Sequence, residues 1–154
     1  MAVTEITPAA VKIDKLITRI EDGDIKIPAF QRGFVWTQEQ IVALLDSIYH
    51  DYPIGSILLW NSKERLKSIR NVAGILLPER APDYPINYVL DGQQRLSTIY
   101  GVFCKDKTID PNSSQYNVDA GLFDIYFDLI DESVRNGTIE SSWKLQASRK
   151  MVQP

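Results

Sequence analysis

The stretch at residues 88–103, YVLDGQQRLSTIYGVF, limits the possible folds of this chain more than any other part of the sequence. Its first residues, Tyr88, Val89 and Leu90, form an apolar run typical of a buried strand. Its last part predicts an amphipathic helix, because apolar residues recur at i, i+3, i+4 and i+7. These residues are Leu96, Ile99, Tyr100 and Phe103. The chain must therefore change from strand to helix within DGQQR, so the fold must combine both elements.

A second helix is predicted from residue 37 onward. The residues TQEQ form a Thr-x-x-Gln capping box, which is typical of a helix start. The apolar residues that follow share one helix face. They are Ile41, Leu44, Leu45 and Ile48. We expect this face and the apolar face of the helix after DGQQR to form one core with strands at residues 57–59 and 88–90.

The rest of the pattern adds short elements and loops. A short strand is predicted at residues 11–13, followed by a helix with an apolar face that ends at Gly23. The segment IKIPAFQRGFVW is interrupted by proline and is predicted to be a loop with β character. Further strands are predicted at residues 55–60 and within 122–130, the latter before an Asn-Gly turn at residues 136–137. These elements predict a mixed α/β domain with helices on one side of a small sheet.

Length and composition indicate one soluble globular domain. The chain has 154 residues, of which 44% are apolar, and we expect a single domain over residues 1–154 with a core at about residues 11–130. A single cysteine, Cys104, excludes an internal disulfide and favours a reducing, cytoplasmic environment. No apolar run approaches the roughly 20 residues that a membrane-spanning helix needs, and the N-terminus lacks the features of a signal peptide. A membrane partner is therefore not expected.

The charge pattern excludes some classes of function. A net charge of −3 argues against broad binding to phosphate backbones, although KERLKSIR at residues 63–70 is a local basic run. We interpret that run as a solvated face. His50 is the only histidine, which excludes chemistry that needs two histidines, and its place at a helix end is favourable for an imidazolium. Asp124 and Asp128 are compatible with a metal site, but the solvent side of a half-buried strand has the same pattern, and we favour that explanation.

Two interpretations of DGQQR remain open from the residues alone. In the first, Asp91 is the N-cap of the helix and Gln94 completes a capping box. This interpretation leaves Gly92, Gln93 and Arg95 unexplained, and a cation in the first turn opposes the helix dipole by about 0.3–1 kcal/mol. In the second, the free N–H groups and Arg95 hold an anion such as phosphate at the helix N-terminus. A bound anion would reverse the sign of that electrostatic effect.

A second Gln-Arg pair lies in the loop PAFQRGFVW. Gln31 and Arg32 are either solvated side chains or partners of the first pair, supplying hydrogen bonds to a phosphate, a base or a carboxylate. Two such pairs have no local structural reason to recur. We therefore predict that Gln31 and Arg32 approach DGQQR in space, although some sixty residues separate them.

The chain resembles a known family in three segments. These are IPAFQRGFVW, LLDSIYHDYPIGSILLW and YVLDGQQRLSTI, so the resemblance covers roughly residues 13–103 in order and spacing. The family is that of DGQQR-motif domains, which are related to the ParB/sulfiredoxin fold. They form the N-terminal part of GmrSD-like, modification-dependent restriction enzymes and of other phage-defence proteins. The resemblance implies an α+β fold with helices packed on a small sheet, in a chain that is the N-terminal part of a longer protein.

The resemblance also implies a ligand and partners. It implies that the domain binds and hydrolyses a nucleoside triphosphate with Mg²⁺, and that hydrolysis is coupled to DNA cleavage by a separate C-terminal nuclease. Nuclease activity is not expected of this chain, and contact with DNA would run through the missing C-terminal domain or a partner subunit. The alternative is a non-catalytic DNA-recognition or regulatory module, in which the same glutamines and arginines contact phosphates and base edges.

Three residues of DGQQR would carry the chemistry implied by this resemblance. Arg95 would neutralise charge on the phosphates. Asp91 would hold the metal or orient water, and Gln94 would position water or substrate.

Four further residues would bind the nucleotide. The backbone amides of Gly92 and Gln93 would cradle the phosphates. Gln31 and Arg32, which match the family's earlier IPxFQR motif, would close the site.

Overall fold

The computed structural model describes residues 6–68, 71–72, 75–77, 85–104, 120–128 and 133–136. Its central strand, β5 (Ile86–Asp91), lies between β1 (Ile25–Lys26) and β2 (Leu58–Ser62) in a three-stranded sheet. The pairing with β1 is parallel and the pairing with β2 is antiparallel. The strand predicted before DGQQR is thus the middle of the sheet, whereas the strand predicted at residues 55–60 begins three residues later.

In the described residues, three α-helices accompany the sheet: α1 (Ile13–Glu21), α2 (Gln38–Tyr49) and α3 (Gln93–Phe103). The short strand predicted at residues 11–13 is wrong, because Ile13 is the first residue of α1. Ile13 lies three, four and seven residues before the apolar residues Leu16, Ile17 and Ile20, so it continues their helix face. Gly23 has a left-handed φ of 77°, a conformation that suits the predicted end of this helix.

The predicted start of α2 is present. The side-chain carbonyl of Gln40 accepts a hydrogen bond from the backbone N–H of Thr37 at 3.0 Å, as the capping box requires. The helix ends at Tyr49 with His50 as its C-cap, four residues before Pro53. The apolar face buries Ile41, Leu44 and Leu45 in the core, and Ile48 packs against them.

One core joins the three helices to the sheet. Val89 of β5 belongs to this core, whereas its neighbour Tyr88 points to the other face, where its ring contacts that of Trp60. From α3 the core takes Leu96, Ile99 and Tyr100. The prediction for Phe103 is wrong, because this last residue of α3 is 43% exposed. The adjacent Cys104 occupies the buried position instead.

Two hairpins complete the described fold. One pairs β3 (Asn71–Val72) with β4 (Ile75–Leu76), and the other pairs β6 (Ile125–Asp128) with β7 (Ser133–Asn136). A short 3₁₀ helix, Ala120–Phe123, precedes β6 and takes up the first residues of the strand predicted within 122–130. Asn136 lies in β7 and pairs with Ile125 of β6, and the rest of the predicted Asn-Gly turn lies outside the described residues.

The observed architecture is the predicted α+β class, with a small mixed sheet and helices packed on it. Phe123 attaches the last hairpin region to α3, because its ring lies directly on Gly101, where an added Cβ would approach it to 2.7 Å. Within the described part of the chain, no helix combines the length and the apolar character that a bilayer crossing requires.

Candidate functional site

The turn between β5 and α3 consists of Gly92. Its φ of 85° and ψ of 14° are left-handed, and it occupies the N-cap position without a side-chain cap. An added Cβ would lie 3.0 Å from the backbone oxygen of Ser56 and 3.1 Å from the Cα of Ile57. The glycine is therefore required both for the turn and for the close approach of the chain that enters β2.

The prediction that Asp91 caps α3 is wrong. Asp91 is the last residue of β5, and its side chain is 75% exposed. Because of the left-handed turn, the N-cap of α3 is Gly92 and not Asp91. The first backbone hydrogen bond of the helix runs from the N–H of Leu96 to the carbonyl of Gly92 at 2.9 Å. The capping box predicted for Asp91 and Gln94 is therefore also absent. The positive end of the α3 dipole thus has no capping side chain.

The two glutamines of DGQQR hold the backbone of the loop at residues 31–35, which we call the FQR loop. The Gln94 side chain accepts from the N–H of Val35 at 2.9 Å and donates to the carbonyl of Gly33 at 3.1 Å. The Gln93 side chain donates to the carbonyl of Arg32 at 2.8 Å. Both glutamine side chains are buried. Their side-chain amides therefore attach the loop to α3 by hydrogen bonds to the loop backbone.

Gln31 makes the reciprocal connection. Its side-chain Nε2 donates to the carbonyls of Val89 at 3.2 Å and Leu90 at 3.1 Å, at the end of β5. The prediction that Gln31 and Arg32 approach DGQQR is therefore confirmed. A sequence separation of about sixty residues is bridged by side-chain amides on both partners.

Arg95 is attached to the turn before β2. Its Nη2 donates to the carbonyl of Ser56 at 2.8 Å and lies 3.5 Å from Oδ2 of Asp91. An added Cβ at Gly55, whose φ is 80°, would lie 2.6 Å from Nη1, so the guanidinium rests directly on this glycine. The Nε of Arg95 is buried and has no hydrogen-bond partner among the described residues.

These residues surround a cavity of about 200 Å³. Its lining residues are Gln31, Arg32, Trp36, Asp91, Gly92, Gln93, Gln94 and Arg95. All seven predicted site residues thus line one cavity. The structure adds Trp36, which the sequence analysis did not single out as a site residue. Its place on the same loop as Gln31 and Arg32, directly before the start of α2, was the available signal.

The cavity carries an excess of positive charge. Two arginines and one aspartate line it, a net charge of +1. The Arg32 side chain is exposed, and the structure gives it no hydrogen bond or ion pair with another described residue. His50, Asp124 and the exposed residues of the basic run do not line this cavity. In the described part of the chain, no three His, Cys, Asp or Glu residues are grouped to hold a metal by themselves.

Comparisons with known proteins identify the family of this chain. The profile of the family described as "GmrSD restriction endonuclease, N-terminal domain" matches residues 13–152, which is most of the chain. The chain belongs to this family. An uncharacterized protein of Methanocaldococcus jannaschii is 29% identical over 124 residues, covering 77% of the chain and 21% of that relative. The chain thus spans about a fifth of the relative's length. No solved structure matches it, so its likeness to the ParB/sulfiredoxin fold stays a prediction.

In this GmrSD N-terminal domain, the residues that line the cavity have two kinds of position. The amides of Gln93 and Gln94 are buried and bound to the loop backbone. Asp91 and the Arg32 side chain are exposed at the cavity. We therefore expect the buried amides to decide the shape of the site and the charged groups to decide what it binds.

Replacing Gln94 with leucine is expected to lower the free energy of unfolding by about 1–3 kcal/mol, since two partly buried hydrogen bonds worth about 0.5–1.5 kcal/mol each are lost. Urea denaturation measures this. Gln38→Leu is the matched control, because Gln38 is the first residue of α2 and has no described hydrogen bond to the FQR loop. Equal denaturation midpoints for the two variants would show that Gln94 does not hold the loop.

Proposed function

We propose that this domain binds a nucleoside triphosphate with Mg²⁺ in the cavity between the FQR loop and α3, and that it hydrolyses this nucleotide as part of a restriction system. The observation that carries the proposal is the N-terminus of α3. It has no side-chain cap and opens on a cavity lined by two arginines. Membership of the restriction endonuclease family supports the restriction-system part of this proposal.

The helix N-terminus is suited to the phosphates. The first amides of a helix lack acceptors within the helix, and here the amides of residues 93–95 precede the first intrahelical bond. The helix dipole adds a partial positive charge at the same place. Phosphate binding at such a terminus satisfies the amides and stabilises the dipole. Gly92 and Gln93, which the sequence analysis assigned to this role, both line the cavity.

The two arginines differ in their freedom. Arg95 is anchored by Ser56 and keeps its guanidinium at the cavity wall, so it supplies a fixed positive charge. Arg32 has no described partner to give up, and its side chain is free to turn onto the phosphates when a nucleotide binds. Guanidinium groups suit this task because their planar donors match phosphate oxygens in pairs. In this proposal Arg95 shapes the site and Arg32 closes it.

The donor set fits Mg²⁺. Asp91 is the carboxylate that lines the cavity, it is exposed, and its Oδ2 lies 3.5 Å from Arg95. Magnesium in nucleotide sites is usually bound by one or two carboxylates together with phosphate oxygens and water, so a cluster of carboxylates is not needed. Asp91 would hold the metal. When bound, Mg²⁺ would neutralise charge that develops on the phosphates.

Hydrolysis transfers the terminal phosphoryl group to water. The bond to the bridging oxygen breaks, and the products are a nucleoside diphosphate and inorganic phosphate. The chain's own contribution is positioning and charge: the α3 amides orient the phosphates, and Arg32 and Arg95 stabilise negative charge on them. Gln94 contributes through the loop that it holds, because both ends of its amide are engaged by Gly33 and Val35.

A panel of the four nucleoside triphosphates with and without Mg²⁺ tests the proposal, scored for thermal stabilisation and for phosphate release. A nucleotide at one hundred times its dissociation constant stabilises the folded state by about 2.7 kcal/mol. Arg32→Ala should weaken binding about 10- to 150-fold, as expected for a charge-assisted hydrogen bond worth about 1.5–3 kcal/mol. It should not change the stability of the unliganded domain, because Arg32 has no described partner.

The matched control is Arg65→Ala, which removes an exposed arginine that does not line the cavity. It should bind nucleotide like the wild type. If no nucleotide or phosphate analogue stabilises the wild type, and Arg32→Ala behaves like Arg65→Ala, the nucleotide proposal is wrong.

The second candidate function is DNA recognition without catalysis. One observation favours it: the basic run lies beside the segment that leads into the FQR loop, because the N–H of Ala29 donates to the carbonyl of Lys67 at 2.7 Å. Lys63, Arg65 and Lys67 are all exposed there. Binding to duplex DNA with a steep dependence on salt, together with no phosphate release, would support this candidate over the nucleotide.

A further inference from the structure

Trp36 is the aromatic residue of the candidate cavity. Its ring packs partly against the hydrophobic core and partly lines the cavity beside Arg32, Gly92 and Arg95. The core contact accounts for the buried part of the ring, since Trp36 precedes the N-cap Thr37 at the position from which an apolar side chain packs back onto a helix. That contact does not require the ring to reach the cavity, and a leucine would make it equally well.

The backbone on both sides of Trp36 is fixed by glutamine side chains. The N–H of Val35 donates to Gln94 at 2.9 Å, and the N–H of Thr37 donates to Gln40 at 3.0 Å. The first of these bonds belongs to the network that holds the FQR loop on α3. The backbone that carries Trp36 therefore has little freedom to lose when a ligand binds.

The cavity is smaller than pockets that enclose a whole nucleotide-sized ligand. Pockets that enclose a whole small ligand have volumes of about 300–1,000 Å³. The cavity here has about 200 Å³, and apart from Gly92 and Trp36 its lining residues have polar or charged side chains. It therefore suits the phosphates better than the complete nucleotide. The nucleoside would then lie at the edge of the cavity, where the ring of Trp36 can contact it.

We infer that Trp36 stacks on the nucleoside part of the ligand and is the residue that makes the site prefer a nucleotide over an inorganic polyphosphate. This inference rests on the proposed function and adds the contact that selects the substrate class. Aromatic stacking tolerates every base, because each has a π face. The expected selectivity is accordingly for a nucleoside triphosphate over tripolyphosphate, with smaller differences among the four bases.

The test compares the affinities of one nucleoside triphosphate and of inorganic tripolyphosphate, both with Mg²⁺, by calorimetry. The wild type should bind the nucleotide about 5- to 150-fold more tightly than tripolyphosphate, since base–aromatic stacking is worth about 1–3 kcal/mol. Trp36→Leu keeps an apolar contact with the core but removes the aromatic ring, so its two affinities should be nearly equal. Trp36→Phe keeps a ring and should retain most of the preference. A ratio of affinities within one variant does not depend on that variant's overall stability.

Fluorescence gives a second measurement. Nucleotide should quench the tryptophan emission of the wild type and of Trp60→Phe, and tripolyphosphate should not. Trp60 is a suitable control because it lies on β2 against Tyr88, away from the cavity lining. Loss of the quenching in Trp36→Phe would support stacking at Trp36.

The outcomes separate this inference from the proposed function. If the wild type binds nucleotide and tripolyphosphate equally well, the phosphate site stands and the role of Trp36 is wrong. If Trp36→Leu keeps the wild-type preference for the nucleotide, the role of Trp36 is again wrong. If neither compound binds to the wild type, the proposed function and the inference both fail.

Discussion

Replacing Gly92 with alanine is expected to lower the free energy of unfolding by about 2–5 kcal/mol, the sum of a backbone and a packing effect. The backbone effect arises because φ is 85° at this residue, where a non-glycine residue costs about 1–2 kcal/mol. The packing effect arises because the new Cβ would lie 3.0 Å from Ser56 O and 3.1 Å from Ile57 Cα. Both atoms belong to the backbone next to β2, so relief requires a shift of the chain, at about 1–3 kcal/mol.

Urea denaturation of Gly92→Ala and Gly33→Ala provides the comparison. Gly33 is the matched control, because nothing lies within 4 Å of a Cβ added there and its φ is not in the left-handed region. Its substitution should change stability by less than about 0.5 kcal/mol. If the two variants are equally stable, the left-handed turn between β5 and α3 is not required. The Gly92 variant should also bind nucleotide weakly, because a shift at this turn moves the first amides of α3.

Replacing Leu45 with alanine is expected to lower the free energy of unfolding by about 2–5 kcal/mol, as truncation of a buried leucine does. Leu45 is 7% exposed and lies in the core where α2 meets the sheet and the other helices. The loss has two parts: the apolar surface of the side chain and the cavity that it leaves. The measurement is the urea midpoint together with its slope, because an unchanged slope assigns the effect to stability.

Leu58→Ala is the control for this substitution. Leu58 is the first residue of β2 and is 41% exposed, so its truncation removes less buried surface and leaves no enclosed cavity. A Leu45 variant with the midpoint of the Leu58 variant would remove α2 from the core. Since α2 begins directly after Trp36 and Thr37, that result would also weaken the description of the cavity wall.

The predictions for DGQQR show how one short sequence serves several purposes. The glycine makes the turn, the two glutamines bind the FQR loop, and the arginine holds the turn at Ser56. Asp91 and the first amides of α3 are left for a ligand. The side-chain amides of Gln93 and Gln94 bind the backbone of the loop. We therefore expect a change at either residue to move Arg32 and Trp36, even if neither glutamine contacts the ligand. Activity lost in such variants must therefore be interpreted together with their stability.

Elements that leave a local pattern could be predicted from the sequence. The apolar spacing in α2 and α3, the Thr37–Gln40 capping box and the apolar run before DGQQR are patterns among residues close in the chain, and the structure confirms the elements that they predicted. The sequence also predicted that the two Gln-Arg segments meet, because neither segment has a local use for both residues. The helix face of α1 extends through Ile13, and the same spacing rule, applied one turn earlier, would have replaced the wrong strand at residues 11–13.

The partner of each polar side chain depends on how distant segments pack together. A glutamine three residues after an aspartate fits a helix cap, and nothing nearby in the sequence shows that its amide instead binds Gly33 and Val35. The left-handed turn at Gly92 decides this, because it moves the helix start and turns Gln94 toward the loop. The same holds for Trp36 and Phe103: both are large apolar residues, and their exposure depends on what packs against them from distant parts of the chain. Local periodicity reports the direction of a side chain relative to its own helix or strand, whereas its neighbours are set by how the elements pack.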